Sequence, residues 1–314
     1  MLLLRAYFDE PGHAKDPNPH FTGMAGFVAP TQVRDKVAER WKAVTVSPQY
    51  GLRQPFHMRE FVHKGLGQFK GWEQERKDAL YRSLIQIIVE FEVVPTGCIV
   101  SNSDFWTLNA RQQMALRSPY YVTLQECIRG ACSQALALEP ETVDMVFAMQ
   151  SEYGTLNPQG ENNADRSGTT ERLFYGIKRN VPELGRYMGA YGSGEPKTTI
   201  PLQAADMLAY EMTKEYENLF GTQRRIRKSY QELMRYGGRR PLVKYLDRLA
   251  LLRILKESGF PDEEEFEEID DNNFLQIVAR HTAQNILDQR RELGAFNDSW
   301  PKWLAEELER RWPT

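Results

Sequence analysis

The sequence predicts an α/β fold, in which helices pack on a mixed β-sheet, and three observations support this. Residues 2–8 and 21–29 have the alternation or apolar character of strands at the start of the chain. Further on, segments with helical periodicity alternate with short apolar strands. With 41% hydrophobic and 26% charged residues, the composition is ordinary for a globular protein and sufficient for a core.

The first strands are predicted to be antiparallel. The turn sequence Asp9-Glu10-Pro11-Gly12 ends the strand at 2–8, so residues 21–29 can return beside it as a hairpin. A third short extended piece is expected around Phe56, His57 and Met58.

The rest of the predicted domain alternates helices and strands. Apolar residues recur at helical spacing in 72–91, and further helices are expected at 119–138, at 169–180 and from Pro201 to Phe220. Strands are expected at 92–100, 142–149 and 186–192, with Pro95 indicating an edge or a bulge. A polar loop at 154–168 separates two of these elements. This order fits antiparallel strands first and parallel strands joined by helical crossovers afterwards.

Composition also limits the compartment and the class of protein. The three cysteines, Cys98, Cys127 and Cys132, lack metal-ligand spacing and are expected to be buried thiols in a reducing compartment. No apolar run is long enough for a signal peptide or a membrane span, so we expect a cytoplasmic protein without membrane contact. The net charge of −3 predicts no bulk affinity for nucleic acid.

The composition changes after residue 220. Residues 221–256 contain 11 Lys and Arg and two acids, an excess of +9, and residues 262–271 contain eight acids. With helices expected at 274–290 and 299–311, we divide the chain into an α/β domain, 1–220, and a helical C-terminal extension, 221–314. The basic stretch could bind phosphates while Tyr230, Tyr236 and Tyr245 stack on bases. The alternative is a pair of amphipathic helices with a solvated basic face.

Two motifs carry candidate chemistry. Asp9 and Glu10 follow a strand, where carboxylates can hold a hard divalent cation, although Asp, Pro and Gly are also ordinary turn residues. In the helix that starts at Pro201, Gln203 and Asp206 share one face, which is alternatively a solvated polar face.

Together these motifs resemble the family known as domain of unknown function 3800. The resemblance rests on YFDE followed by Gly12 and His13, on FTGMAGF at 21–27, on the Phe56-His57 pair and on LQAADMLAY at 202–210. It covers roughly residues 3–215. It implies a ribonuclease H-like fold and a metal-dependent nuclease that uses Asp9, Glu10, Gln203 and Asp206. Pro11 stands where the family has serine, so no role of that serine transfers.

A site of this type needs further groups. Glu152, after the strand at 142–149, is a candidate third ligand, so the predicted ligands of Mg²⁺ or Mn²⁺ are Asp9, Asp206 and Glu152. Glu73 and Asp104 are further acids that could serve. His57 could shuttle protons near the carboxylates, or it could be a structural residue in an apolar setting.

The sequence therefore favours a metal-dependent phosphodiester hydrolase, a nuclease, with nucleic acid bound in part by residues 221–256. A non-catalytic nucleic-acid or protein-binding module remains the main alternative, and a hydrolase of a small phosphorylated molecule is another. The sequence contains no glycine-rich phosphate loop and no dinucleotide fingerprint.

Overall fold

The computed structural model describes residues 3–10, 20–63, 67–91, 93–136, 142–148, 166–220, 226–234, 242–258 and 260. These residues form a six-stranded mixed β-sheet with helices packed on both faces. The predicted α/β class is therefore confirmed. The acidic run at 262–271, the helices expected at 274–290 and 299–311, and most of the polar loop at 154–168 lie outside the described residues.

The strands are β1 (Leu4–Asp9), β2 (Phe21–Pro30), β3 (Val94–Ser101), β4 (Val143–Ala148), β5 (Met188–Gly194) and β6 (Leu242–Leu246). Their order across the sheet is β5-β4-β1-β2-β3-β6. Strand β2 is antiparallel to β1 and β3, whereas the other neighbouring pairs are parallel. The carboxyl ends of all strands except β2 therefore lie at one edge of the sheet.

The helices connect these strands and cover the sheet. They are α1 (Thr31–Thr45), α2 (Met58–Val62), α3 (Gln74–Glu90), α4 (Asn102–Trp106), α5 (Ala110–Leu116), α6 (Pro119–Leu136), α7 (Arg166–Asn180), α8 (Pro182–Gly185), α9 (Ile200–Phe220), α10 (Lys228–Leu233) and α11 (Arg248–Glu257). In the described part of the chain, none of them is long and apolar enough to cross a bilayer. The three cysteines are free and buried, as predicted.

The two faces of the sheet bury separate clusters. Leu4 and Phe8 of β1 pack with α6 on one face, and Ala25 and Phe27 of β2 pack with α1, α3 and α9 on the other. Side chains alternate along a strand, so Asp9, which follows Phe8, belongs to the face covered by α9. A β-carbon at Gly26 would collide with the backbone of Tyr7, so glycine is needed where β2 approaches β1.

Besides the short helices α4, α5 and α8, which were not predicted, three differences from the predictions concern the sheet and the segment between β2 and α3. Residues 242–246 form strand β6 instead of part of an all-helical extension, because Val243 and Tyr245 pack on the α9 face while Lys244 points to Glu126 of α6. Strand β3 consequently lies between β2 and β6 and is not the edge strand that Pro95 indicated. The proline is accommodated because it precedes the first residue of β3 that pairs with β6.

The other two differences concern the segment between β2 and α3. Helix α1 was not predicted, because its buried residues are few. The extended piece expected around Phe56 to Met58 pairs with no described strand, since His57 is extended but occupies the N-cap position of α2, which begins at Met58.

Candidate functional site

The end of β1 places Asp9 at the carboxyl edge of the sheet. Asp9 is only 9% exposed, lies on the face covered by α9, and its Oδ1 accepts a hydrogen bond from the backbone N–H of Glu10 at 2.8 Å. A buried carboxylate at a strand end can bind a cation directly, because its remaining oxygen has no hydrogen bond from the described residues.

Helix α9 brings Gln203 and Asp206 to the same region, one helical turn apart. Both are buried, at 4% and 7% exposure. Small residues beside them, Ala204, Ala205 and Ala209, are also buried, which lets α9 lie close to the sheet. The shared face predicted from sequence is therefore directed into the protein and is not a solvated polar face.

Both side chains hold one short segment, residues 55–58, which we call the strap. The N–H of Phe56 donates to Gln203 Oε1 at 3.1 Å, and the N–H of Met58 donates to Asp206 Oδ2 at 2.7 Å. In an extended segment alternate N–H groups point the same way, so two residues one turn apart on a helix can accept both. This contact explains why glutamine and aspartate occur three positions apart.

The strap also brings His57 to Asp206. The imidazole Nδ1 lies 3.1 Å from Asp206 Oδ2, while the ring remains half-exposed. The N–H of Arg59 also points at Nδ1, at 3.4 Å, but one nitrogen cannot donate to a carboxylate and accept from an amide at once. The shorter contact with the charged carboxylate is the stronger one, so we assign the Nδ1 proton to the Asp206 hydrogen bond.

The electrostatics of this group are coupled. Burial and then the negative charge of Asp206 raise the pKa of Asp9 well above its ordinary value. The hydrogen bond to Asp206 raises the pKa of His57, and the charges of Asp206 and Asp9 act in the same direction against the effect of burial. Two carboxylates in a buried space thus favour a positive charge or a proton between them.

The side chain of Glu10 is directed away from this group, although its charge also raises the pKa of Asp9, after burial and the charge of Asp206. Its carboxylate accepts a hydrogen bond from Tyr120 of α6, and the hydroxyl of Tyr120 also lies 3.2 Å from that of Thr170 in α7. Both partners belong to the helices on the opposite face of the sheet from α9. The structure therefore separates the two acids of the Asp9-Glu10 pair.

The other predicted acids are placed apart from Asp9 and Asp206 or are not described. Glu73 is exposed at the N-cap of α3, and Asp104 lies in α4, where its charge raises the pKa of Tyr245 in addition to the effect of burial. Glu152 lies outside the described residues. Within the described ranges, no group of three or more His, Cys, Asp or Glu side chains is arranged to hold a metal ion.

The basic stretch at 221–256 is partly engaged in the protein itself. Arg227 donates two hydrogen bonds of 2.8 Å to the buried carboxylate of Glu211, and Lys244 lies 3.2 Å from Glu126. The ring of Tyr245 stacks on those of Tyr216 and Phe220, with centroids at 5.1 and 4.7 Å, and Tyr230 is partly buried. Tyr236 lies outside the described residues.

The sequence analysis missed one residue that belongs to the site. The indole N–H of Trp41, in α1, donates to Gln203 Oε1 at 3.0 Å. Val37, Trp41 and Thr45 are the buried residues of α1 and recur every four positions, which is the signal that could have identified both the helix and its inner face.

Comparisons with known proteins give no independent assignment. The sequence matches no family model, no curated protein and no solved structure.

Proposed function

We propose that the chain is a metal-dependent phosphodiester hydrolase, a nuclease, with Asp9, Asp206 and His57 at its centre. The observation that carries the proposal is that the end of β1, helix α9 and the strap bring two buried carboxylates and an imidazole together on one face of the sheet. The order of antiparallel strands followed by parallel crossovers supports a ribonuclease H-like type, as the resemblance of the two motifs implies.

The donor chemistry of these residues fits Mg²⁺ or Mn²⁺. Both ions prefer oxygen ligands, and among the described residues no hydrogen bond reaches Asp9 Oδ2 or Asp206 Oδ1. A cation would also offset burial and the negative charge of Asp206, the two main causes of the raised pKa of Asp9. Glu152 remains the predicted third ligand.

A divalent cation bound there would stabilise negative charge on the phosphoryl oxygens and make water more acidic. The protein would contribute proton transfer at His57. Asp206 accepts the hydrogen bond from Nδ1 of His57, and the ring is half-exposed. Its Nε2 would therefore be able to exchange a proton with water or with the leaving oxygen.

Nucleic acid is the proposed substrate. Within the basic segment 221–256, the side chains of Lys228, Arg248, Arg253 and Lys256 are exposed and can approach phosphates. The positive residues that contact carboxylates of the α/β domain, Arg227 and Lys244, are less available for this role.

Thermal melting with EDTA, Mg²⁺ or Mn²⁺ tests the cation site. In the wild type we expect the metal to raise the melting temperature, since a ligand at 100 times its Kd adds about 2.7 kcal/mol. Asp9→Asn and Asp206→Asn should remove this rise, and Glu73→Gln, an exposed acid outside the site, should retain it. Cleavage of short DNA and RNA oligonucleotides should depend on the same two aspartates.

A non-catalytic binding module is the second candidate, and one observation favours it. Asp206 already accepts the N–H of Met58, so the acid could serve the fold alone. In that case oligonucleotide binding would persist in EDTA and weaken with salt, and no metal-dependent melting or cleavage would be seen.

A further inference from the structure

The amide of Gln203 joins three separate parts of the chain at the site. Its Oε1 accepts from the indole of Trp41 in α1 at 3.0 Å and from the N–H of Phe56 in the strap at 3.1 Å. Its Nε2 donates to the carbonyl of Pro196 at 2.9 Å, in the segment that leads from β5 into α9.

These bonds limit what Gln203 can do chemically. An amide oxygen has two acceptor positions, and Trp41 and Phe56 occupy both. A cation could bind this oxygen only by displacing one of two buried donors, which would leave that donor unsatisfied inside the protein. Asp206 differs, because no hydrogen bond from the described residues reaches its Oδ1.

We infer that Gln203 is a positioning residue for the proposed reaction: it fixes the strap so that His57 faces Asp206, and it does not ligate the metal. The inference rests on the proposed function for the role of His57. His57 lies between the two anchored N–H groups of the strap, those of Phe56 and Met58.

Loss of the hydrogen bond between the N–H of Phe56 and Gln203 would leave the strap bonded to α9 through Asp206 alone. The imidazole could then move relative to the carboxylates while both carboxylates stay in place. Misplacement of a reacting group by about 1 Å can lower a rate about 100-fold, so proton transfer should suffer before metal binding does.

Gln203→Met tests this, because methionine keeps the length of the side chain and removes its hydrogen bonds. We expect Mn²⁺ affinity within about threefold of wild type, kcat lower by about 10- to 100-fold, and KM within about threefold. The amides of Phe56 and Met58 should exchange with deuterium faster. Ile85→Val, a mild change in the core contributed by α3, controls for general destabilisation and should leave kcat and the strap amides unchanged.

Two results would overturn the inference. A loss of Mn²⁺ affinity as large as that of Asp206→Asn would make Gln203 a ligand, and unchanged strap exchange would show that Gln203 does not hold the strap. If the wild type neither cleaves nor responds to metal, the proposed function fails, while the exchange measurement still decides whether Gln203 fixes the strap. If Gln203→Met does not melt cooperatively, Gln203→Glu takes its place. This variant keeps an oxygen acceptor, so the amide of Phe56 should remain protected from hydrogen exchange.

Discussion

The imidazole of His57 lies 3.1 Å from the carboxylate of Asp206, although one residue directly precedes the short helix α2 and the other lies within the long helix α9. The carboxylate sets the ring orientation and selects the tautomer with a proton on Nδ1. The contact therefore makes His57 a candidate for proton transfer instead of an isolated structural histidine.

Replacing His57 should reduce hydrolysis without removing the fold. For His57→Gln we expect a fall in kcat of about 100-fold or more, the range in which general acid–base groups contribute. Rates should be measured at saturating Mn²⁺, so that altered metal binding does not limit the reaction. His20→Gln, at an exposed histidine, is the matched control and should cleave at the wild-type rate. Equal rates for all three proteins would exclude His57 from the reaction.

Metal-free stability should fall as pH rises. The pKa of Asp9 is raised by burial and by Asp206, so the folded protein holds this proton more tightly than the unfolded chain does. The stabilisation that Asp9 provides is fully present at pH values below the pKa of aspartate in the unfolded chain, about 4. It is lost as the pH rises through the higher pKa of Asp9 in the folded protein. His57, whose pKa is also raised, adds a loss in the same direction.

Melting in EDTA across pH separates these contributions. Asp9→Asn keeps an oxygen for the N–H of Glu10 and removes the charge, so it should melt at a higher temperature than wild type at neutral pH. The melting temperature should rise by about 2–4 °C for each kcal/mol gained in the free energy of unfolding. His57→Gln should retain the part of the pH dependence that comes from Asp9. With Mn²⁺ present, the wild-type slope should reverse, because metal competes with the proton. A lower melting temperature for Asp9→Asn in EDTA would contradict the assignment.

The ion pair between Glu211 and Arg227 should matter for stability. Glu211 is fully buried and also accepts hydrogen bonds of 2.5 Å from Tyr81 and Ser229. Glu211→Ala leaves the arginine unpaired, and loss of one partner from a buried pair costs about 3–5 kcal/mol. Urea denaturation of Glu211→Ala measures this cost.

A surface pair on the same helix provides the comparison. Lys214 and Glu217 lie 2.5 Å apart but are 38% and 32% exposed, so Glu217→Ala should cost about 0–1 kcal/mol. If the two alanine variants unfold at the same urea concentration, the segment containing Arg227 is not anchored by Glu211.

Elements with strong periodicity were predicted well from the sequence. The strands β1 and β2 and the helices α3, α6 and α9 lie within about three residues of their predicted bounds, because their apolar residues follow one period throughout. Strand β6 was missed because only five residues alternate there, within a stretch whose charge dominated the interpretation.

Part of the site could also be predicted from the regular alternation of residues along a strand. The separation of Asp9 from Glu10 follows from the alternation of side chains along a strand, a rule that the sequence alone could have supplied. The meeting of His57 with Asp206 could not be predicted in this way, since it depends on how the strap crosses α9, and no local period encodes that crossing.

The position of β6 affects when the sheet can be completed during synthesis on the ribosome. Strand β3 is made early in synthesis, yet the neighbour that covers its open side is β6, whose last residue is Leu246. A ribosome must add about 145 residues after β3 before that side can pair, which at 5–20 residues per second takes on the order of ten seconds. During this interval the nascent chain exposes the unpaired edge of β3, which is a template for aggregation.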